Sequence, residues 1–111
     1  MGKFIRGDAV VVPFPFSDLT QAKRRPALII ADLEGDDYIL CQITSKGIKD
    51  KYSIPLEDGD FDDGSLKQSS NVRPNRIFTA DKNIILYRIG HLGQNKFDVI
   101  IRKIIDILQS D

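Results

Sequence analysis

Cationic and hydroxyl-bearing side chains are the groups in this sequence whose placement suits chemistry on a phosphate. Lys23, Arg24 and Arg25 stand together directly before Pro26. A guanidinium presents a planar fork of donors matched to phosphate oxygens. The proline behind it confines Arg25 to extended backbone, which fixes where the side chain points. Thr44 and Ser45 close an apolar run, and Arg73 lies between Val72 and Pro74. Lys46, Lys49 and Lys51 follow the hydroxyl pair, while the acids gather at Glu57, Asp58, Asp60, Asp62 and Asp63. A fold can therefore collect one basic face although the formal net charge is zero. Each candidate also has a plainer reading. Arg25 and Arg73 read equally as surface arginines, and Thr44 as a strand-end hydroxyl bonded to its own backbone.

Other chemistries find less support. His91 is the only histidine, so a catalytic histidine pair is impossible, and its place between Gly90 and Leu92 suits a structural use. Cys41 sits in an apolar run and reads as a buried, inert thiol. Asp58, Asp60, Asp62 and Gly64 resemble a calcium loop only faintly. The glycine comes one position late and Ser69 stands where the closing glutamate belongs, so no metal site is expected. The glycine patterns of nucleotide-binding loops are missing.

The elements that must position these residues are mostly strands. Residues 9–16 form a valine-rich run interrupted by Pro13 and Pro15, which end its pairing or place it at an edge. The stretch 17–24 is polar and reads as a loop. Apolar runs at 26–31 and 38–43, joined by Glu34-Gly35-Asp36-Asp37, predict a hairpin. Residues 51–56 alternate, with Tyr52, Ile54 and Leu56 on one face, and 57–64 read as a turn-rich acidic loop. Short strands are expected at 71–73 and 77–80, and 84–89 is a further apolar run of uncertain type. The period then changes. Phe97, Ile100, Ile101, Ile104, Ile105 and Leu108 recur at three- and four-residue steps, one face of a helix that begins after Gly93. Short strands followed by one helix predict a mainly β fold, a small barrel or bent sheet with a helix packed on it.

Length and composition set the frame. The 111 residues suit a single domain spanning the chain. With 41% hydrophobic residues the chain can build a core and is not disordered. One cysteine excludes an internal disulfide and suits a reducing, cytoplasmic setting. The segment Met1-Gly2-Lys3-Phe4-Ile5-Arg6 carries no signal-peptide core, and no run approaches the roughly 20 apolar residues of a membrane span.

Taken in order, several segments resemble the MazF/PemK-like family, the toxin half of type II toxin–antitoxin pairs. They are Arg6-Gly7-Asp8-Ala9-Val10-Val11-Val12-Pro13-Phe14-Pro15-Phe16, then Lys23-Arg24-Arg25-Pro26-Ala27-Leu28-Ile29-Ile30, then Gln42-Ile43-Thr44-Ser45. Gly64-Ser65-Leu66-Lys67, Ser70-Asn71-Val72-Arg73-Pro74, Phe78-Thr79-Ala80-Asp81 and Ile89-Gly90-His91-Leu92 extend the match over nearly the whole chain. The resemblance implies an SH3-like barrel of the CcdB/Kid type with a C-terminal helix. It implies a homodimer that cleaves single-stranded RNA with no metal or other cofactor. A cognate antitoxin would cover the RNA groove, and DNA would be met only through that antitoxin.

The resemblance also implies roles. Cleavage by the RNA's own 2′-hydroxyl needs a base, a cation for the phosphorane and an acid for the leaving oxygen. Arg25, Thr44 and Arg73 match the family's catalytic positions. Asp18, Gln21, Lys23, Arg24, Ser45, Lys46 and Asn75 are the expected RNA contacts. The chain departs from the pattern at its acids. Thr20-Gln21-Ala22-Lys23-Arg24 keeps a glutamine but lacks the glutamate of many members, and Asn75 stands where the PemK branch has an aspartate. Two other functions fit the same fold, a non-catalytic RNA-binding module and a topoisomerase poison.

Overall fold

The apolar runs fold as strands because their valines, isoleucines and leucines bury on alternate sides of a sheet. The computed structural model describes residues 4–15, 20–45, 50–66 and 68–110 of the chain. Seven strands follow in order: β1 (Asp8–Phe14), β2 (Lys23–Asp32), β3 (Asp37–Ser45), β4 (Ile54–Leu56), β5 (Phe61–Gly64), β6 (Ser70–Asp81) and β7 (Tyr87–Leu92). Helix α1 (Gln94–Gln109) comes after them, and 3₁₀ turns cover Asp58–Asp60 and Lys82–Ile84. The strands form one sheet in the order β4-β6-β3-β2-β1-β7-β5, every pair antiparallel.

That order forces the sheet to roll. Its two margins, β4 and β5, are consecutive in sequence and joined by Glu57 and the turn Asp58–Asp60. Seven flat strands would hold the margins about 29 Å apart at ~4.8 Å spacing. Five Cα steps from Leu56 to Phe61 reach at most about 18 Å even when extended. The sheet therefore curls into the expected half-barrel with a C-terminal helix.

One side of the roll packs Ala9, Leu28, Ile30, Cys41, Ile43 and Val72 against Phe97, Ile100 and Ile104 of α1. The other carries Val10, Val12, Ala27, Ile29, Leu40 and Tyr38. The helix buries a narrower stripe than its sequence period implied. Ile105 is exposed because it lies about 100° around the helix from Ile104, whereas Leu108 lies near the buried line but in the last turn, where it is left uncovered.

Four other expectations are revised. β2 starts at Lys23, so the basic cluster lies on a strand, with Lys23, Arg24 and Arg25 opposite Phe14, Pro13 and Val12. The predicted strand at 51–56 shrinks to β4, because the Asp50 Oδ1 accepts the N–H groups of Tyr52 and Ser53, both at 2.9 Å, and turns the chain there. Part of the acidic loop becomes β5, paired with β7. The two short strands around Pro74 are one strand, β6, whose register on β3 jumps. Gln42 faces Arg73 while Cys41 faces Ile77, leaving Pro74, Asn75 and Arg76 as a bulge. Proline has no N–H to offer the ladder, so the extra residues collect where it stands.

At the seam beside β5, glycine is required. Gly64 has φ +69°, and a Cβ there would lie 2.2 Å from the Ile89 carbonyl oxygen. His91 serves the scaffold. Its Nδ1 lies 2.8 Å from Oδ1 of the buried Asp8, whose carboxylate also accepts from Arg88 Nε and the Ile5 N–H.

Candidate functional site

Alternation along β2 and β3 places Arg25 on the side of Ala27 and Ile29, and Thr44 on the side of Leu40 and Gln42, away from the helix. The strands are paired at Ala27–Gln42, so two residues further along each one Arg25 and Thr44 come to the same region. There they open into a cavity of about 590 Å³. Phe14, Arg25, Gln42, Thr44 and Ser45 line it together with Leu66, Gln68 and Ser70.

Thr44 is poised in an informative way. Its Oγ1 is buried and has no hydrogen-bond partner among the described residues. Native proteins rarely leave a buried hydroxyl unsatisfied, and the exceptions concentrate where a ligand or water completes them. Arg25 is exposed beside it, with Lys23 and Arg24 continuing the positive charge along β2. A cation and an unspent hydroxyl in one open cavity can hold the non-bridging oxygens of a phosphodiester. Among the described residues lining this cavity there is no carboxylate and no imidazole.

Arg73 is placed differently from Arg25 and Thr44. It does not line the cavity but lies opposite Gln42, which does. It is only 3% exposed, and its Nη2 donates to Asp50 Oδ2 at 2.7 Å. Its Nε and Nη1 are buried without a partner among the described residues. Partial burial pushes the Asp50 carboxyl up, but the Tyr52 and Ser53 N–H groups and the Arg73 charge outweigh it and hold the carboxyl below its usual range. The Arg73 carbonyl accepts the Cys41 Sγ–H at 3.0 Å. Burial nonetheless pushes the Cys41 thiol up to about 12, so it stays protonated and unreactive.

Of the remaining candidates, Ser45 lines the cavity, and Gln21, Lys23 and Arg24 are exposed outside its lining. Asn75 is exposed on the β6 bulge, also outside the lining. Asp18 and Lys46 lie outside the described residues. The sequence reading did not single out Gln68, which carries no motif, Ser70, which stands in the Arg73 segment with no role of its own, or Asp50, whose setting Lys49-Asp50-Lys51 reads as solvated charge. No described group of three or more His, Cys, Asp or Glu is placed to hold a metal ion. No described helix is long and apolar enough to cross a membrane.

A rolled antiparallel sheet closed by one helix, with an arginine and a threonine meeting in one cavity, is a small-barrel architecture that carries a phosphate-compatible site. Over residues 5–108 the chain matches the family described as PemK-like, MazF-like toxin of type II toxin-antitoxin system, and it belongs to that family. The resemblance read from its motifs is thereby borne out. Comparison with curated proteins gives no match. Among solved structures, it is similar to an endoribonuclease in complex with its cognate antitoxin from Mycobacterial species, with TM-score 0.76, 13% identity and 97% of each chain covered. It is similar to the Mycobacterium tuberculosis toxin MazF-mt6, with TM-score 0.72 and 18% identity over 94% of this chain and 98% of that one. It is also similar to MazE-MazF (Form-III) from Deinococcus radiodurans, with TM-score 0.74, 17% identity and 96% of each chain covered. At such identities these likenesses establish the shared fold.

Proposed function

We propose that this chain is an endoribonuclease toxin that cleaves single-stranded RNA by attack of the 2′-hydroxyl on the adjacent phosphorus. The new bond closes a 2′,3′-cyclic phosphate, and the 5′-oxygen leaves with a proton. The carrying observation is the Arg25–Thr44 cavity with its unspent, buried Thr44 hydroxyl. Arg25 stabilises the charge that grows on the phosphorane, and Thr44 donates to a non-bridging oxygen. Ser45 lies beside them, and Gln21, Lys23, Arg24, Lys46 and Asn75 hold the flanking nucleotides. Arg73 adds a second guanidinium from beside Gln42. Asp18 joins the RNA contacts, and the base is either Asp18 or a water bound with the substrate.

The family, and the similar endoribonuclease in complex with its cognate antitoxin, support a cognate antitoxin as partner and RNA as substrate. The reading includes a homodimer, one domain over the chain, a cytoplasmic setting and no metal requirement. Purified protein should cut single-stranded RNA in EDTA and leave DNA of the same sequence intact. Arg25→Ala should lose about a hundredfold or more of the rate, the usual cost of one transition-state donor. An Arg25→Ala variant that cuts like the wild type removes Arg25 from the chemistry.

One observation favours a second reading. The described lining contains no carboxylate or imidazole to act as base, which suits a module that binds RNA without cutting it. Binding of an RNA oligonucleotide with no cleavage over hours would select that reading.

A further inference from the structure

A carboxylate does accompany Arg73, but it comes from the other side of the sheet margin, not from its own strand. Asn75, two residues along β6, is exposed on the bulge. Asp50, 23 residues earlier in the chain, meets Arg73 Nη2 at 2.7 Å. Its other oxygen is fixed by the N–H groups of Tyr52 and Ser53. The carboxylate is thus anchored to backbone before any ligand arrives, and its grip on the guanidinium uses one nitrogen. Among the described residues Arg73 Nε and Nη1 remain buried and unpartnered, in a side chain only 4% exposed. Buried donors of a charged group are costly when unsatisfied, and a bound anion is the partner that completes them.

We propose that Asp50 is the positioning residue for Arg73, holding its guanidinium beside Gln42 so that Nε and Nη1, closed off in the free protein, are the donors left for a phosphate oxygen once bound RNA displaces the Gln42 side chain. This rests on the RNA-cleavage reading for its substrate, but the geometry of the pair does not. Asp50 is not the base. Its carboxyl is held low by the same contacts that anchor it, so it has little appetite for the 2′-hydroxyl proton. Its task is orientation, and it acts through Arg73.

The test is a double-mutant cycle. Asp50→Asn keeps an oxygen to accept from Tyr52 and Ser53 but loses the negative charge. Cleavage of one defined RNA oligonucleotide is measured for wild type, Asp50→Asn, Arg73→Ala and the double variant. Asp50→Asn should lower kcat by about ten- to a hundredfold, the range seen when the group orienting a site's ligand is removed. The same change in the Arg73→Ala background should do nothing further. Equal losses in both backgrounds would show that Asp50 only shapes its loop, and no loss in the wild-type background removes the role. A second readout follows the Arg73 Nε–H signal by NMR during titration with inorganic phosphate. The signal should shift in the wild type and lose that response in Asp50→Asn. A wild type that cuts no RNA refutes the cleavage reading, and the phosphate titration then decides the positioning role alone. An Arg73 signal that ignores phosphate in the wild type overturns it.

Discussion

Replacing Thr44 by valine should make the protein more stable and less active at once. The two side chains have nearly the same shape, so the substitution exchanges the hydroxyl for a methyl group. Thr44 Oγ1 is buried with no partner, and a hydroxyl in that state costs about 1–3 kcal/mol on mutational scales. Valine removes that cost and also suits the strand position of residue 44 in β3. Taking the low end, the gain is about 1 kcal/mol. At about 2.1 cal/mol/K per residue, the unfolding entropy of this chain is about 230 cal/mol/K, so Tm should rise by about 4 °C. Calorimetry reads the stability, and cleavage of a defined RNA oligonucleotide reads the activity. Thr44→Ser keeps the hydroxyl and should retain most of the rate. If Thr44→Val leaves Tm unchanged or lowers it, a water already satisfies Oγ1 and the site is not strained towards a ligand. If it gains stability yet cuts at the wild-type rate, the hydroxyl has no part in the chemistry.

Gly64→Ala should cost several kcal/mol, because the new Cβ would meet the Ile89 oxygen at 2.2 Å and the backbone sits at φ +69°; a denaturant midpoint within error of wild type would contradict this. Cys41, pushed up to about 12, should resist iodoacetamide at pH 8 in the folded protein, whereas the denatured chain should take up one label. The Asp50 carboxyl is held below its ordinary value of 3.8 in the folded state. Its contribution is therefore full above that value and is lost as pH falls through the folded one. Asp50→Asn should accordingly flatten the loss of stability below about pH 4, and identical acid limbs for the two proteins would remove the Asp50–Arg73 pair from the acid response.

What could be read in advance was what is local. Val10, Val12, Leu28 and Ile30 mark strands through their own types, and Phe97, Ile100 and Ile104 mark the helix through their spacing. Arg25 and Thr44 could be singled out because a motif accompanies each. What depends on a distant partner was hidden. The continuity of β6 across Pro74 follows from its register on β3, which no property of 70–81 announces. The turn at Asp50 replaced an alternating pattern because one carboxylate captures two N–H groups. The pairing of Asp50 with Arg73 spans 23 positions, and each residue alone reads as surface charge. Ser70 reaches the cavity through its pairing with Ser45, and Leu66 and Gln68 lie on the segment that leads to it.

The short joint at residues 57–60 works as the buckle of a belt. It fastens β4 to β5 and so limits the girth of the whole roll. Part of the cavity lining follows the segment that leaves this buckle, with Leu66 and Gln68 after β5 and Ser70 opening β6. The rest, with Arg25 and Thr44, belongs to the middle of the belt. Letting the buckle out by two glycines would relax the closure of the roll without altering any residue that lines the cavity. The girth of the barrel is in this sense tailored at the fastening, a property of loop length that a comparison of lining residues would not reveal.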